Sequence, residues 1–89
     1  METRQIIGWN LRRLRVAKGF SQEKLALEAA IDRAYVGRVE RAKENVTVST
    51  LEALAKVLSA PVSELFVEPP ADAERPPNMR AGRKNKADT

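Results

Sequence analysis

Two short amphipathic stretches, each opened by its own capping residue and separated only by a tight turn, constrain this chain more than any other feature. Ser21 stands at an N-cap position three residues before Lys24, and Glu23 falls in the electropositive first turn that follows. Leu25, Ala26 and Ala29 form the inner face of that helix, and Phe20, just ahead of the cap, is suited to staple onto it. Ala29-Ala30-Ile31 makes the turn, and Asp32 then opens a second helix from Arg33 to about Arg41. In it Val36 and Val39 point inward, while Arg33, Gly37, Arg38 and Arg41 lie on the outer faces. Ala26 is small enough to let the two helices approach, Ile31 fills the turn, and Val36 locks the second helix to the first. A plain helical hairpin makes similar demands, so this spacing by itself is only moderately specific.

The flanking segments continue the helical reading. Ile7, Leu11 and Leu14 form an apolar stripe on a first helix running from about Thr3 to Lys18, which Gly19 terminates. Asn45-Val46-Thr47 reads as a loop ending in an N-cap, followed by a helix from Val48 to Leu58 with Val48, Leu51, Leu54, Ala55 and Leu58 apolar. Ser59-Ala60 breaks that helix, and Pro61 suits the first turn of a short fifth helix through Phe66. From Glu68 onward the chain holds four prolines and one large apolar side chain, Met79. Such a segment buries too little to offset its ordering entropy, so residues 68–89 are expected to be a flexible tail, Pro-rich and then basic. The expectation is an all-α domain of five helices over residues 1–67 with a disordered C-terminal tail.

With no cysteine and no histidine, the chain has no disulfide, no thiolate metal site and none of the usual transition-metal ligands. No metal and no cofactor are expected. No glycine-rich phosphate loop or nucleophile–base signature points to an enzyme. No apolar run approaches the roughly 20 residues that span a bilayer, and Arg4, Gln5 and Gly8 interrupt the N-terminus too early for a signal peptide. A soluble cytoplasmic protein without membrane contact is expected. Charge is unevenly spread: +5 over residues 1–43, −5 over 44–74 and +4 over 75–89. That asymmetry suggests one face made for a polyanion, although an unevenly solvated surface is the plainer alternative.

Longer strings narrow the reading. Leu11-Arg12-Arg13-Leu14-Arg15, Lys18 through Ala26 and Ala34 through Arg41 resemble the Cro/repressor (XRE-type) helix-turn-helix family. Thr47 through Leu58 and Pro61 through Phe66 carry the likeness into that family's fourth and fifth helices, so it spans roughly residues 6–67. The resemblance implies a lambda-repressor-like fold and sequence-specific binding of double-stranded DNA by a transcriptional regulator. Helix 3 would lie in the major groove with its N-terminal residues at base edges.

On that basis Arg33, Ala34, Gly37 and Arg38 are the expected base readers. Arginine suits the bidentate contact with guanine O6 and N7, and the Ala34 methyl suits a thymine methyl. Both arginines equally suit a phosphate or open solvent. Gly37 costs a helix interior about 1 kcal/mol relative to alanine, which close approach to DNA or to helix 2 would explain. Gln22, Tyr35, Arg41, Lys43 and Arg12 are the expected phosphate contacts, which position the protein without reading sequence. Arg15 and Glu40 match a structural ion pair of the family. Two family glycines are replaced, by Ala30 in the turn and Ala42 after helix 3, at a cost of roughly 1 kcal/mol wherever left-handed backbone is retained. Val62, Leu65, Phe66 and Val67 are the expected contact of a two-fold homodimer. The alternative is an antitoxin or other protein-partner module, with the tail as a possible partner site. Phage-type repressor, controller protein and antitoxin roles all remain open. Trp9, facing away from the core stripe, has no assigned role.

Overall fold

The computed structural model describes residues 2–71. It contains α1 (Thr3–Lys18), α2 (Gln22–Ala29), α3 (Arg33–Glu40), α4 (Val48–Val57) and a 3-10 helix, Val62–Phe66, with no strand among the described residues. The fifth element is therefore not an α-helix. Pro61 precedes it in extended conformation, Glu64 donates its N–H to the Pro61 carbonyl at 2.9 Å, and a run this short favours i→i+3 bonding. The basic cluster Arg83-Lys84-Asn85-Lys86 and the flexibility expected of residues 72–89 lie outside the described residues. Glu68 to Ala71, assigned by composition to the tail, are described, and Pro69 is buried. No helix among the described residues is long and apolar enough to cross a membrane.

Local chemistry sets the helix ends. The Ser21 hydroxyl accepts from the Lys24 N–H, and the Thr47 hydroxyl accepts from the Thr50 N–H. Glu2 and Gln5 form a reciprocal capping box at the start of α1. Asp32 occupies the N-cap position of α3, but its side chain makes no capping bond.

All four α-helices end alike. Gly19, Ala30, Ala42 and Ser59 have φ of 80°, 58°, 61° and 55°. After each of them the next N–H reaches back to the carbonyl five residues earlier: Phe20 to Arg15, Ile31 to Ala26, Lys43 to Arg38 and Ala60 to Ala55. These are Schellman closures, and only the first uses glycine. Ala30 and Ala42 thus keep the left-handed backbone rather than relaxing away from it.

Ile7, Leu11, Leu25, Ala26, Val36, Val39, Leu51, Leu54, Ala55, Leu58 and Leu65 form one core. Leu14, Phe20, Ala29, Ile31 and Tyr35 pack against it. Val48 does not join its stripe mates: at the first position of α4 it lies beyond the edge of the core and is exposed. Helix α1 packs on α3 and on the 3-10 helix, while α2 packs on α3 and α4.

Two residues of α1 set these contacts. Gly8 is buried, and a Cβ there would stand 2.6 Å from the Val39 carbonyl oxygen and 2.8 Å from that of Glu40. The backbones of α1 and α3 are that close because Gly8 has no side chain. Asn10 is fully buried and ties α1 to the C-terminal segment. Its Nδ2 donates to the Val67 carbonyl at 2.7 Å, to Leu65 at 3.2 Å and to Ile6 at 3.0 Å. Its Oδ1 accepts from Nε and Nη2 of Arg13, whose Nη2 also reaches the Glu64 carbonyl and carboxylate. The Arg13 guanidinium lies 5.8 Å from the ring centroid of half-buried Trp9, giving Trp9 a place on this side of α1.

Two substitutions should therefore move stability in opposite directions. Gly8→Ala forces α1 off α3 and should cost about 1–3 kcal/mol. Ala42→Gly relieves a left-handed alanine and should stabilise by about 0.5–1 kcal/mol. Urea midpoints at constant m-value read both.

Candidate nucleic-acid interface

The start of α2 and the outward side of α3 enclose an open hollow lined by Gln22, Asp32, Arg33, Ala34, Gly37, Arg38 and Arg41. All four expected base readers and two of the expected phosphate contacts therefore share one surface. Arg33 and Ala34 are exposed at the first turn of α3, and Arg41 is exposed just past its end. Lys43 is exposed but does not line the hollow, and Tyr35 lies half-buried against the core.

Gly37 lines the hollow, although it is itself buried. A Cβ at this position would stand 3.1 Å from Nη1 of Arg41 and 3.7 Å from Oε1 of Gln22. The nearer of these is the end of the exposed Arg41 side chain, which would have to give by a few tenths of an ångström, while the Gln22 contact is an ordinary one.

Arg38 is held from two sides. Its Nε donates to Oε1 of Glu44 at 2.7 Å, and its guanidinium lies 5.6 Å from the centroid of the Tyr35 ring. This hydrogen bond, donated to the Glu44 carboxylate, raises the Arg38 pKa above its ordinary value. Glu44 escaped the reading of the sequence because it lies past the end of α3. The only sequence signal was an acid six residues beyond an arginine.

Beneath this surface lies a buried charge cluster. Arg15 and Glu40 have fully buried side chains. Arg15 donates from Nε to Oε2 of Glu40 at 2.6 Å and from Nη2 to Oε1 at 3.1 Å, while its Nη1 reaches the Phe20 carbonyl at 2.8 Å. Gln22 donates from Nε2 to the same Oε1 at 3.0 Å. Arg12, expected at a phosphate, lies instead on Glu40, with Nε 3.3 Å from Oε1 and a side chain only 14% exposed. The Glu40 carboxylate draws it inward.

Leu65 is 0% exposed and belongs to the core, so it is not part of any surface offered to a second subunit. The 3-10 helix turns Leu65 in while leaving Val62 and Phe66, and Val67 just after them, exposed. Among the described residues no group of three or more acids could hold a metal ion.

Short capped helices crossing at a tight turn, with a polar and cationic outer face on the second, define a helix-turn-helix domain. The chain belongs to the helix-turn-helix family HTH_3, whose pattern matches residues 11–65. It is 38% identical over 68 residues to the Neisseria hypothetical transcription factor of Neisseria meningitidis, a match covering 76% of this chain and 64% of that protein. The crystal structure of that factor superposes with a TM-score of 0.74 over 76% of this chain and 78% of the other. Control protein C.SmaI of Serratia marcescens is 43% identical over 66 residues, covering 74% of this chain and 79% of its own length. The restriction-modification controller protein C.AhdI of Aeromonas hydrophila is 46% identical, with a TM-score of 0.69 over 71% of this chain and 96% of that one.

The buried cluster separates structural charges from solvated ones. Glu40→Gln leaves the Arg15 guanidinium buried without its counter-ion and should lower stability by about 3–5 kcal/mol. Lys24→Ala removes an exposed pair with Glu28 and should leave the urea midpoint nearly unchanged.

Proposed function

We propose that this protein is a sequence-specific transcriptional regulator that binds double-stranded DNA as a two-fold dimer and reads the major groove with α3. The observation that carries this reading is the hollow in which Gln22, Arg33, Ala34, Gly37, Arg38 and Arg41 meet at the exposed face of a helix-turn-helix unit. Arg33, Ala34, Gly37 and Arg38 form the base-reading face, Gly37 by letting the helix backbone approach the base edges. Gln22, Tyr35, Arg41 and Lys43 are the phosphate contacts. The Gln22 amide is fixed by Glu40, so its second amide hydrogen is free to meet an anion at the start of α2. The dimer is proposed to form through Val62, Phe66 and Val67, which are exposed on and just after the 3-10 helix. Among the roles open to such a regulator, control of a restriction-modification system draws support from the likeness to the C.SmaI and C.AhdI controllers.

Selection from a randomised duplex library tests the reading. A two-fold symmetric site with half-sites about 34 Å apart is expected, one turn of the duplex. Arg33→Ala should relax preference at one position per half-site and cost about 1–3 kcal/mol, whereas Lys43→Ala should weaken all sequences alike and lower the salt slope by about one unit. Identical behaviour of the two variants would overturn the division into readers and positioners. Binding without any enriched sequence, or no binding at all, would overturn the proposed function and favour a protein partner.

The dimer has its own test in sedimentation. The wild-type chain should sediment as a dimer at micromolar concentration and Phe66→Glu as a monomer. A wild-type monomer in the presence of DNA would refute the two-fold arrangement.

A further inference from the structure

A base-reading arginine faces a problem of discrimination. Every duplex, whatever its sequence, presents phosphates, and a free guanidinium is attracted to all of them. Guanine presents a neutral acceptor pair, O6 and N7, at only some positions. A reader that carries its full charge therefore strengthens binding everywhere.

In this protein Arg38 does not present an uncompensated charge. Glu44 lies 2.7 Å from its Nε, and the Tyr35 ring covers one face of the guanidinium. Both side chains of the pair remain accessible, at 43% for Arg38 and 27% for Glu44. The pair therefore sits at the surface and not in the core. The contact is made through Nε, so the end-on pair of terminal nitrogens is not needed for it. Those terminal N–H groups are the pair that an end-on contact with O6 and N7 requires.

From this arrangement we infer that Glu44 is a specificity-determining residue, which cancels the pull of Arg38 on phosphate while leaving its terminal N–H groups for a guanine edge. The inference rests on the DNA-binding reading above. A carboxylate beside the reader is repelled by phosphate but not by a neutral base edge, so the pair penalises wrong positions more than right ones. Glu44 acts through Arg38 and need not touch DNA. Tyr35 gains a second role beside its proposed phosphate contact, because its ring lies 5.6 Å from the guanidinium carbon and favours the cation there.

The test compares the full chain with Glu44→Gln on two duplexes of equal length, one bearing the selected site and one of random sequence, at several salt concentrations. Removing the acid should tighten binding to random duplex by about threefold at 50 mM salt and steepen its salt slope by about 0.9. Affinity for the selected site should rise less, so the ratio between the two should fall. Glu44→Asp, which keeps the charge, should hold the ratio near the wild-type value. In an Arg38→Ala background Glu44→Gln should no longer change the ratio. A ratio unchanged by Glu44→Gln in an otherwise wild-type chain would overturn the inference while leaving the DNA-binding reading intact. An effect of equal size in the Arg38→Ala background would also overturn it, since Glu44 would then act only as a general surface charge. Equal affinity of the wild-type chain for both duplexes, or no affinity for either, would overturn both readings.

Discussion

The carboxylate of Glu40 is the point on which this domain turns. Helices of eight residues, such as α2 and α3, are marginal on their own and depend on packing for their existence. At the end of α3 one carboxylate accepts from Arg15 and Arg12 of α1 and from Gln22 of α2. Arg15 in turn holds the Phe20 carbonyl at the corner between α1 and α2. Three helices are thus referred to one buried group. Such a cluster contributes less net stability than an apolar replacement of the same shape could, because four polar groups leave water to form it. What it contributes is direction, since hydrogen bonds of fixed geometry allow fewer arrangements than a greasy contact does. The outer face of α3 inherits that definition.

Local features of the fold were legible in the sequence, and long-range ones were not. Ser21, Thr47 and Gly19 announce helix ends because a cap is satisfied within three or four residues. The helix boundaries follow from those signals and from the apolar spacing. Arg15 and Glu40 stand 25 residues apart, and only the family resemblance paired them. Nothing near Asn10 in the chain announces that its amide closes on carbonyls 55 and 57 residues later. Arg12 looked like a surface arginine because its periodicity says nothing of where Glu40 ends up. Leu65 was assigned to a dimer contact because apolar character alone does not say whether the core or a second subunit receives a side chain.

The candidate site divides the same way. Arg33, Ala34 and Arg38 could be chosen from sequence because α3 is a regular helix whose outward positions repeat. Gly37 could be read only as a close approach to DNA or to helix 2, since its nearest neighbours, Arg41 and Gln22, are brought there by the fold. Glu44 was invisible for a different reason. It lies beyond the Schellman closure at Ala42, where helical periodicity no longer tells which way a side chain turns.

Helix α1, 16 residues long, packs on both α3 and the 3-10 helix. From its middle Asn10 grips the segment bearing Phe66 and Val67, and about a turn and a half further on Arg15 grips the end of α3. Both grips are buried, so little slack lies between the apolar edge and the reading face. In the proposed dimer this makes α1 a ruler. The separation of the two reading helices is then a property of the protein, set before any duplex is met. A site whose half-sites are spaced or phased differently has to be accommodated by the duplex, through bending or a change of twist, and the cost of that deformation depends on base pairs no side chain reaches.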